Sequence, residues 1–568
     1  MPRALGGLFS TDSDVPTSRA VHSRRLPLAY ALVLLLVAAP LCAQTYQDLH
    51  DFDCGTGCTP WDRGRLTQGI DGNLYGTTEY GGRFGYGTIF RVNPSGAGYT
   101  VLWDFDGATT GANPIGALTL SSVDGNFYGA TFDGGTYGDS LGTLFSFNPS
   151  TSALTVLHQF GPSEDSPMVP PVEGKDKKLY GMTHSGATYR VTPPAGTYQL
   201  LPNKVPGIPN GPLLLAADGN FYGTTGSGGT HLEGTIFRMT TTGGIQTLYN
   251  FTGNSDGGNP GAPLAQAGNG TFYGTTYYDI QNAAGTIFKF TVKPFKLTTL
   301  HNFPSGAIGG SNPDAGLLLA TDGNLYGTTS SGGEGSDNSG NIFQITPGGV
   351  FTSYFDFTGV LAGFPGAQAR TTMMEDTNGV IYGLTSTGGF NGTDVGGYGV
   401  FYSLTLPNIN TNIALCCNWW VILDQPVIIL GQNLTGVFSV SIGGATARFA
   451  PGSDTYLTAY VPSGAIDGLA TVTLATGQQL QSQQTVHILP KITSLDPLSG
   501  SAGTVVNITG GGFNGTTKVS FGGVAASNFS VLSPSLVQAT VPTGAVTGKV
   551  ALGTPNGSAN SKQTFTVQ

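Results

Sequence analysis

Three histidines stand at the same position of a repeated sequence unit and have the chemistry to ligate a metal ion. His50, His158 and His301 each precede a phenylalanine by two residues. Other units carry an aromatic ring at this position, namely Trp103, Tyr249 and Phe355. Imidazole is a common metal ligand, but equivalent positions in successive units are separated in space. We therefore predict that these flat side chains pack half-buried between neighbouring units, and that the chain holds no metal.

Repeated aspartates could supply carboxylates for acid–base chemistry. They lie in the short phrase Asp-Gly-Asn, at Asp71, Asp124, Asp218 and Asp322. Asp, Gly and Asn are turn-forming residues, so a structural role accounts for the phrase. The sequence contains no His-Glu-x-x-His helix and no phosphate-binding loop. We predict no catalytic residue and no cofactor.

Long glycine-rich loops follow the second strand of several units and carry aromatic side chains mixed with Asp, Asn and Glu. The candidate binding residues on these loops are Tyr80, Phe84, Tyr137, Tyr278 and Tyr398. Aromatic rings offer flat apolar area and polar groups fix orientation, which suits recognition of a sugar or a peptide. The alternative is that the rings fold back onto their own loops. Repeat equivalence predicts that all these loops emerge on one face.

Four cysteines remain beyond the N-terminal leader: Cys54, Cys58, Cys416 and Cys417. An even number in an exported chain favours disulfides. One or two bonds between the early and the late pair would join the two ends of the repeat region. A local Cys54–Cys58 bond is the alternative, and a four-cysteine zinc site is a third possibility.

The elements that position these residues come from a repeat of about 52 residues. A Tyr-Gly step marks seven copies, at Tyr75, Tyr128, Tyr180, Tyr222, Tyr273, Tyr326 and Tyr382. Each unit contains four short runs rich in β-branched and aromatic residues, bounded by Gly, Asn, Asp and Pro, which indicates four strands. Four strands in about 40 to 50 residues are typical of a propeller blade. We therefore predict an all-β chain with a seven-bladed β-propeller.

The fourth-strand motif is offset from the others, and the offset predicts how the ring closes. This Leu-x-x-Phe motif occurs at 102–105, 157–160, 248–251 and 300–303, but no copy follows the last third strand near Phe401. The missing copy lies at the start of the chain, at Leu49–Phe52. We predict that this N-terminal strand completes the seventh blade, because pairing it there removes an open edge.

Residues 1–43 have the layout of a secretory signal peptide. Arg24 and Arg25 precede an apolar run of 16 residues from Leu26 to Leu41, and Ala43 precedes the predicted cleavage point. A membrane anchor is the alternative, but a bilayer span needs about 20 residues. We expect a secreted or cell-surface protein with no membrane span after cleavage.

Composition sets the remaining bounds. A chain of 568 residues exceeds one ordinary core and predicts several domains. Aromatic residues make up 10%, which argues against disorder. The formal net charge is −10, without a basic cluster, so nucleic acid is not an expected partner.

The C-terminal third has a longer period, of 78 to 80 residues. Val440–Gly444 matches Val519–Gly523, and even spacing of short strands suggests two β-sandwiches. The phrases Asp496–Thr504 and Ile508–Phe513 resemble the IPT/TIG immunoglobulin-like family, which implies a spacer or binding arm. Residues 407–489 resemble it more loosely, because Cys-Cys-Asn-Trp-Trp at 416–420 replaces the usual opening.

The repeat units resemble the GloVer tandem repeat of exported bacterial proteins. Asp71–Thr78 and Gly87–Phe90 carry this resemblance, which extends over residues 46–405 and implies no particular activity. The predicted domains are a signal peptide at 1–43, the propeller at 44–406, a divergent sandwich at 407–489 and an IPT/TIG sandwich at 490–568.

The sequence favours an exported recognition or adhesion protein. Its loop face would bind an extracellular ligand, a polysaccharide or a surface protein, and the IPT/TIG domains would act as a spacer or arm. An extracellular glycan-active enzyme on a propeller scaffold is one alternative, and a structural surface-layer component is another.

Overall fold

The computed structural model describes residues 45–60, 64–136, 141–268, 270–279, 284–304, 309–333, 338–358, 366–389 and 397–568. The predicted signal peptide lies outside these residues. Their regular structure is entirely β, apart from one 3₁₀ turn at Leu434–Gly436. This confirms the predicted all-β class.

Seven four-stranded antiparallel sheets, called blades 1 to 7, form from the first 28 strands that the structure describes. β1 (Thr45–Asp51) belongs to blade 7, and the others follow in chain order. Blade 1 contains β2 (Thr67–Gln68), β3 (Leu74–Thr78), β4 (Thr88–Val92) and β5 (Thr100–Asp104). Blade 2 contains β6 (Ala112–Leu120), β7 (Phe127–Asp133), β8 (Thr143–Asn148) and β9 (Ala153–Gln159). Blade 3 contains β10 (Val172–Glu173), β11 (Leu179–Met182), β12 (Ala187–Thr192) and β13 (Thr197–Lys204). Blade 4 contains β14 (Leu214–Leu215), β15 (Phe221–Thr225), β16 (Thr235–Met239) and β17 (Ile245–Asn250). Blade 5 contains β18 (Ala265–Ala267), β19 (Thr271–Thr276), β20 (Thr286–Val292) and β21 (Phe295–Asn302). Blade 6 contains β22 (Leu318–Leu319), β23 (Leu325–Thr328), β24 (Asn341–Ile345) and β25 (Phe351–Asp356). Blade 7 adds β26 (Met374–Glu375), β27 (Val380–Leu384) and β28 (Val400–Thr405).

The ring closes as the motif offset predicts. β1 pairs antiparallel with β28, with His50 opposite Phe401 and Asp51 opposite Val400. The Phe52 N–H donates to the Gly399 carbonyl at 3.0 Å. The buried Phe52 ring joins one hydrophobic cluster with residues of blade 1 and blade 7. The predicted position of the N-terminal strand is therefore confirmed.

The repeated Tyr-Gly step has a packing reason. A Cβ added to Gly76 would lie 2.6 Å from the ring of Phe90, which faces it from the third strand. The same glycine–aromatic contact recurs in the other six blades, at Gly129, Gly181, Gly223, Gly274, Gly327 and Gly383. Only glycine leaves room for a ring so close to the neighbouring strand.

The repeated aspartates form turns, as predicted, and also hold the tyrosine four residues later. Asp71 accepts the Asn73 N–H at 3.2 Å and the Tyr75 hydroxyl at 2.9 Å. The same tyrosine-to-aspartate bond recurs at 2.7–2.9 Å from Tyr128, Tyr180, Tyr222 and Tyr326. Burial and the adjacent carboxylate raise the pKa of these tyrosines. The hydroxyls are therefore neutral donors that anchor each turn to its second strand.

The three histidines pack between blades. Each ring stacks on an aromatic ring of the next blade, at centroid distances of 4.1 Å for His50 on Tyr99, 3.5 Å for His158 on Tyr198 and 4.0 Å for His301 on Phe351. Burial lowers the pKa of His50 and of His301, which favours the neutral ring. The predicted packing role is confirmed.

Two further β units follow, each with its own hydrophobic core, and we call them the first and the second sandwich. The first contains β29 (Ala414–Leu415), β30 (Trp420–Ile422), β31 (Pro426–Leu430), β32 (Val437–Ile442), β33 (Ala445–Pro451), β34 (Tyr456–Tyr460), β35 (Gly468–Leu474) and β36 (Gln479–Leu489). The second contains β37 (Lys491–Asp496), β38 (Ser499–Gly500), β39 (Val505–Gly511), β40 (Lys518–Phe521), β41 (Val524–Ala525), β42 (Phe529–Ser533), β43 (Leu536–Thr540), β44 (Gly548–Thr554) and β45 (Gly557–Val567).

One buried carboxyl lies at the turn between the first two strands of blade 7. Asp376 is fully buried, and neither carboxylate oxygen has a hydrogen-bond partner among the described residues. Burial raises its pKa to about 7, and the nearby backbone N–H groups of Thr377 and Asn378 oppose this only in part. Other blades place a small residue here, such as Ala216 or Ala320, so the carboxyl is a local exception.

We expect Asp376→Ala to stabilise the ring above neutral pH and to have little effect near pH 4. A carboxyl whose pKa is raised on folding is neutral in both states below its unfolded pKa and carries no charge penalty there. Stability is then lost as the pH rises to the folded pKa of about 7. A shift of about three units corresponds to about 4 kcal/mol. We expect a gain of about 2 to 3 kcal/mol at pH 8, because alanine gives up some packing. Urea unfolding of both chains at pH 4 and pH 8 tests this, and an equal difference at both pH values would contradict it.

Candidate ligand-binding face of the ring

The ring has two different faces because neighbouring strands run antiparallel. The turn face carries the tight turns between first and second strands, such as 69–73 and 376–380. The open face carries the loops between second and third strands, such as 79–87 and 226–234. The strand order within each blade therefore places the aromatic loops opposite the Asp-Gly-Asn turns.

The first sandwich docks on the turn face. The Thr455 hydroxyl donates to the Ile70 carbonyl at 2.9 Å in blade 1. The Asn412 N–H donates to the Thr377 carbonyl at 3.1 Å in blade 7. The Asn418 side-chain amide donates to Glu173 at 3.1 Å in blade 3. These contacts are spread over several blades, so the sandwich covers this side of the ring.

Trp420 is the apolar anchor of this contact. It is only 2% exposed and lies in a cluster with Tyr180 and Leu215 from blades 3 and 4. Its ring stacks on His487 at 4.3 Å, and the Lys175 ammonium lies 5.3 Å from the ring centroid. The Cys-Cys-Asn-Trp-Trp segment that departs from the IPT/TIG pattern therefore supplies the apolar part of the contact with the ring.

On the open face, backbone hydrogen bonds join the loop of one blade to the segment that leads into the next blade. The Asn113 N–H donates to the Tyr86 carbonyl at 3.0 Å, and Asn312 donates to Ala284 at 2.8 Å. The same bond closes the ring where Thr59 donates to the Tyr398 carbonyl at 2.9 Å. Neighbouring blades thus fix the backbone from which the aromatic side chains project.

Among the residues that the structure describes on this face, blade 1 presents the most exposed aromatic side chains. Tyr80 is 45% exposed and Phe84 is 49% exposed. Tyr86, on the same loop, is also 45% exposed. The Arg83 guanidinium lies 5.2 Å from the Phe84 ring centroid. We name Tyr80, Arg83, Phe84 and Tyr86 the blade-1 patch. Tyr86 and Arg83 were not among the predicted residues, although both lie in the loop that carries Tyr80.

Acidic groups surround the blade-1 patch. A hydrogen bond to Glu79 is the main cause that raises the pKa of Tyr80 to about 12. Asp104 accepts the Arg83 N–H at 2.7 Å and so holds the loop on its own blade. Burial raises the pKa of Asp133, whose charge also acts on Tyr80. The patch therefore combines exposed rings with fixed hydrogen-bond acceptors.

The other predicted residues do not join this patch in the structure. The Tyr278 hydroxyl donates to Glu233 of the preceding blade at 2.5 Å, and this bond is the main cause that raises the pKa of Tyr278 to about 12. Tyr398 packs against the cluster of Phe52 and Phe401. Tyr137 lies outside the described residues. Tyr278 and Tyr398 therefore contact neighbouring parts of the ring and do not only fold back onto their own loops.

The cysteines form local pairs. Cys54 is bonded to Cys58, and Cys416 is bonded to Cys417. The proposed bonds across the seam are therefore not the arrangement in the structure. The reason is the direction of β28, because Cys58 lies near its Val400 end on the open face and Cys416 lies beyond its Thr405 end on the turn face.

The described residues bring no group of three or more His, Cys, Asp or Glu side chains together as a metal site. Two clefts beside the first sandwich have volumes of about 420 Å³ and 540 Å³. The first has no acidic lining residue, and the second has only Asp424. No helix among the described residues reaches the length and hydrophobicity of a bilayer span.

Known proteins resemble the chain in both of its parts. The Gloeobacter/Verrucomicrobia repeat matches residues 36–191 and 184–395, and the IPT/TIG domain matches residues 490–567. No curated protein matches the chain.

Several solved structures are similar at low sequence identity. A streptogramin B lyase has 15% identity and a TM-score of 0.44, over 64% of this chain and 98% of its own. A fungal alcohol oxidase of the AA5 family in complex with copper has 11% identity and a TM-score of 0.45, over 78% and 99%. SGBP-B from a xyloglucan utilization locus in Bacteroides uniformis has 18% identity and a TM-score of 0.16, over 28% and 48%. Because the repeat match covers more than half of the chain, this chain belongs to the Gloeobacter/Verrucomicrobia repeat family, and an IPT/TIG domain follows the repeats.

Proposed function

We propose that this protein is an exported or cell-surface recognition protein that binds an extracellular ligand on the open face of its ring. The observation that carries the proposal is the blade-1 patch, whose three aromatic rings are 45 to 49% exposed on one loop. Large exposed rings beside fixed polar groups are typical of binding surfaces. The sandwich on the turn face leaves this loop accessible and acts as a spacer or arm.

Polysaccharide is the ligand class that best fits the blade-1 patch. The faces of Tyr80, Phe84 and Tyr86 suit the apolar faces of sugar rings, and the partly exposed Asp104 offers an acceptor for a hydroxyl group. The excess of acidic side chains around the loop disfavours an anionic ligand. A neutral or cationic surface polymer is therefore the expected partner.

We expect the double variant Tyr80→Ala/Phe84→Ala to fold normally and to bind its ligand about tenfold or more weakly. Both rings are about half exposed, so their removal costs the fold little. A loss of about 1.4 kcal/mol corresponds to tenfold in affinity. Screening the chain on a glycan array, followed by calorimetry on the best binder, measures the change. Phe438→Ala is the matched control, because Phe438 is 76% exposed on the first sandwich. Unchanged binding by a folded double variant would remove the patch from the proposal.

The proposed export has its own test. Expression with residues 1–43 intact in a bacterial host should place the protein outside the cytoplasm. N-terminal sequencing of that material should then begin at Gln44. A cytoplasmic product that still carries residue 1 would contradict the export route without affecting the blade-1 patch.

A further inference from the structure

The cleft of about 420 Å³ lies on the turn-face side of the ring, between the ring and the first sandwich. None of its lining residues is charged, and all are polar apart from two leucines. The lining residues are Thr321 from blade 6, Asn408, Asn410, Thr411 and Asn412 from the linker after β28, and Leu469, Gln479, Leu480, Gln481, Ser482 and Gln483 from the first sandwich. This volume is within the usual range of small-ligand sites.

Two rows of side-chain amides line the cleft. On β36, Gln479, Gln481 and Gln483 are exposed, whereas Leu480 and Ser482 between them are buried. This alternation follows the two-residue period of a strand. On the linker, the amides also alternate, at Asn408, Asn410 and Asn412. Ile413 forms a parallel bridge with Ser482, so the two rows run side by side.

Glu375 orients two of these amides from beneath. The Asn412 amide nitrogen donates to one carboxylate oxygen at 2.7 Å, and the Gln483 amide nitrogen donates to the other at 3.4 Å. Thr321 fixes the carboxylate itself, through its N–H at 2.8 Å and its hydroxyl at 2.6 Å. The amide nitrogens of Asn412 and Gln483 are therefore engaged, and their oxygens remain to accept hydrogen bonds.

We propose that this cleft binds a neutral oligosaccharide through its two rows of amides. Sugar hydroxyls both donate and accept, and amides supply both functions without charge. The exposed part of Leu469 offers a small apolar surface for a sugar ring. An extended peptide fits less well, because peptide grooves use a free strand edge. At the cleft, β36 pairs with β35 on one side and is bridged to Ile413 at Ser482 on the other. This site is independent of the blade-1 patch.

The test uses the full chain and an array of neutral oligosaccharides, with uronic-acid oligosaccharides as the charged set. Asn410→Ala/Gln479→Ala is the test variant, because both side chains are exposed and the fold should tolerate their loss. Gln478→Ala is the matched control, since Gln478 is exposed one residue outside the cleft. Tyr80→Ala/Phe84→Ala separates this site from the open face. Hydrogen exchange of residues 408–412 and 479–483 reports ligand contact directly.

The expected result is binding of at least one neutral oligosaccharide that falls about tenfold or more in the cleft variant. Binding should be unchanged in Gln478→Ala and in the Tyr80/Phe84 variant, and exchange should slow in both amide rows. Four results would overturn the proposal: no neutral oligosaccharide bound, binding that survives the cleft variant, preference for the uronic-acid set, or capture of an extended peptide by the same residues. Loss of binding in the Tyr80/Phe84 variant alone would support the open face and refute the cleft.

Discussion

Replacement of Phe52 by alanine is expected to lower the free energy of unfolding of the ring by about 3 to 5 kcal/mol. Phe52 is 1% exposed, and its ring contacts Phe90 of blade 1 at a centroid distance of 5.6 Å. The residue lies directly after β1, which supplies the outer strand of blade 7. Its removal therefore weakens the packing between the first and last blades as well as the attachment of β1.

Phe105→Ala is the matched comparison, because Phe105 occupies the same repeat position and is 0% exposed. Both variants should lose similar packing energy, and urea unfolding measures that loss. Only Phe52→Ala should also release β1, because β1 is joined to blade 7 by pairing alone, without a hairpin. Hydrogen exchange should then rise in residues 45–51 and 400–405 before the rest of the ring opens. Equal local exchange in the two variants would show that Phe52→Ala does not release β1 separately from the rest of the ring.

The repeat made much of the ring predictable. Counting the Leu-x-x-Phe motif was enough to place Phe52 beside the last third strand, because a missing copy at one end matched an extra copy at the other. The stacking of His50 and His301 was predictable for the same reason, since aromatic residues replace them in other units. The sequence repeat thus predicts the contacts that recur once in each blade.

Other features could not be predicted, because the same sequence pattern is compatible with more than one structural role. A turn role alone explains the repeated Asp71, so no further sequence pattern indicated that its carboxylate accepts a hydrogen bond from Tyr75. The cysteine prediction rested on each pair following one of two paired strands. Because β1 and β28 are antiparallel, the segments that follow them leave at opposite faces of the ring. The fold of the aromatic loops depends on neighbouring blades, so Tyr278 and Tyr80 look alike in sequence and differ in the structure.

Docking of the sandwich was beyond sequence reasoning because it depends on two surfaces that meet only after folding. The Cys-Cys-Asn-Trp-Trp segment was visible only as a departure from the IPT/TIG pattern. In the structure this segment contacts the ring, because Asn418 donates a hydrogen bond to Glu173 and Trp420 packs in the cluster with Tyr180. A local departure from a family pattern can therefore mark the point where a domain meets its neighbour.

Trp420→Ala is expected to undock the first sandwich at a cost of about 3 to 5 kcal/mol. The ring of Trp420 is almost completely buried between the sandwich and blades 3 and 4. Its loss removes the stack on His487 and the contact with Lys175 and leaves an apolar gap. The hydrogen bonds of Asn418 to Glu173 and Gly174 would then be open to water.

Three measurements separate undocking from unfolding of either part. Small-angle scattering should show a larger radius of gyration, and limited proteolysis should cut the linker at 407–412 while both parts stay folded. Calorimetry should show two unfolding transitions in the variant where the parent chain shows coupled unfolding. Asn418→Ala should act in the same direction with a smaller effect, about 1 to 3 kcal/mol, because it leaves the buried Glu173 with fewer donors. Phe438→Ala, on the exposed side of the same sandwich, should leave all three measurements unchanged. A Trp420→Ala chain that remains compact and resists cleavage would show that the polar contacts at Ile70, Thr377 and Glu173 hold the two parts together without the tryptophan.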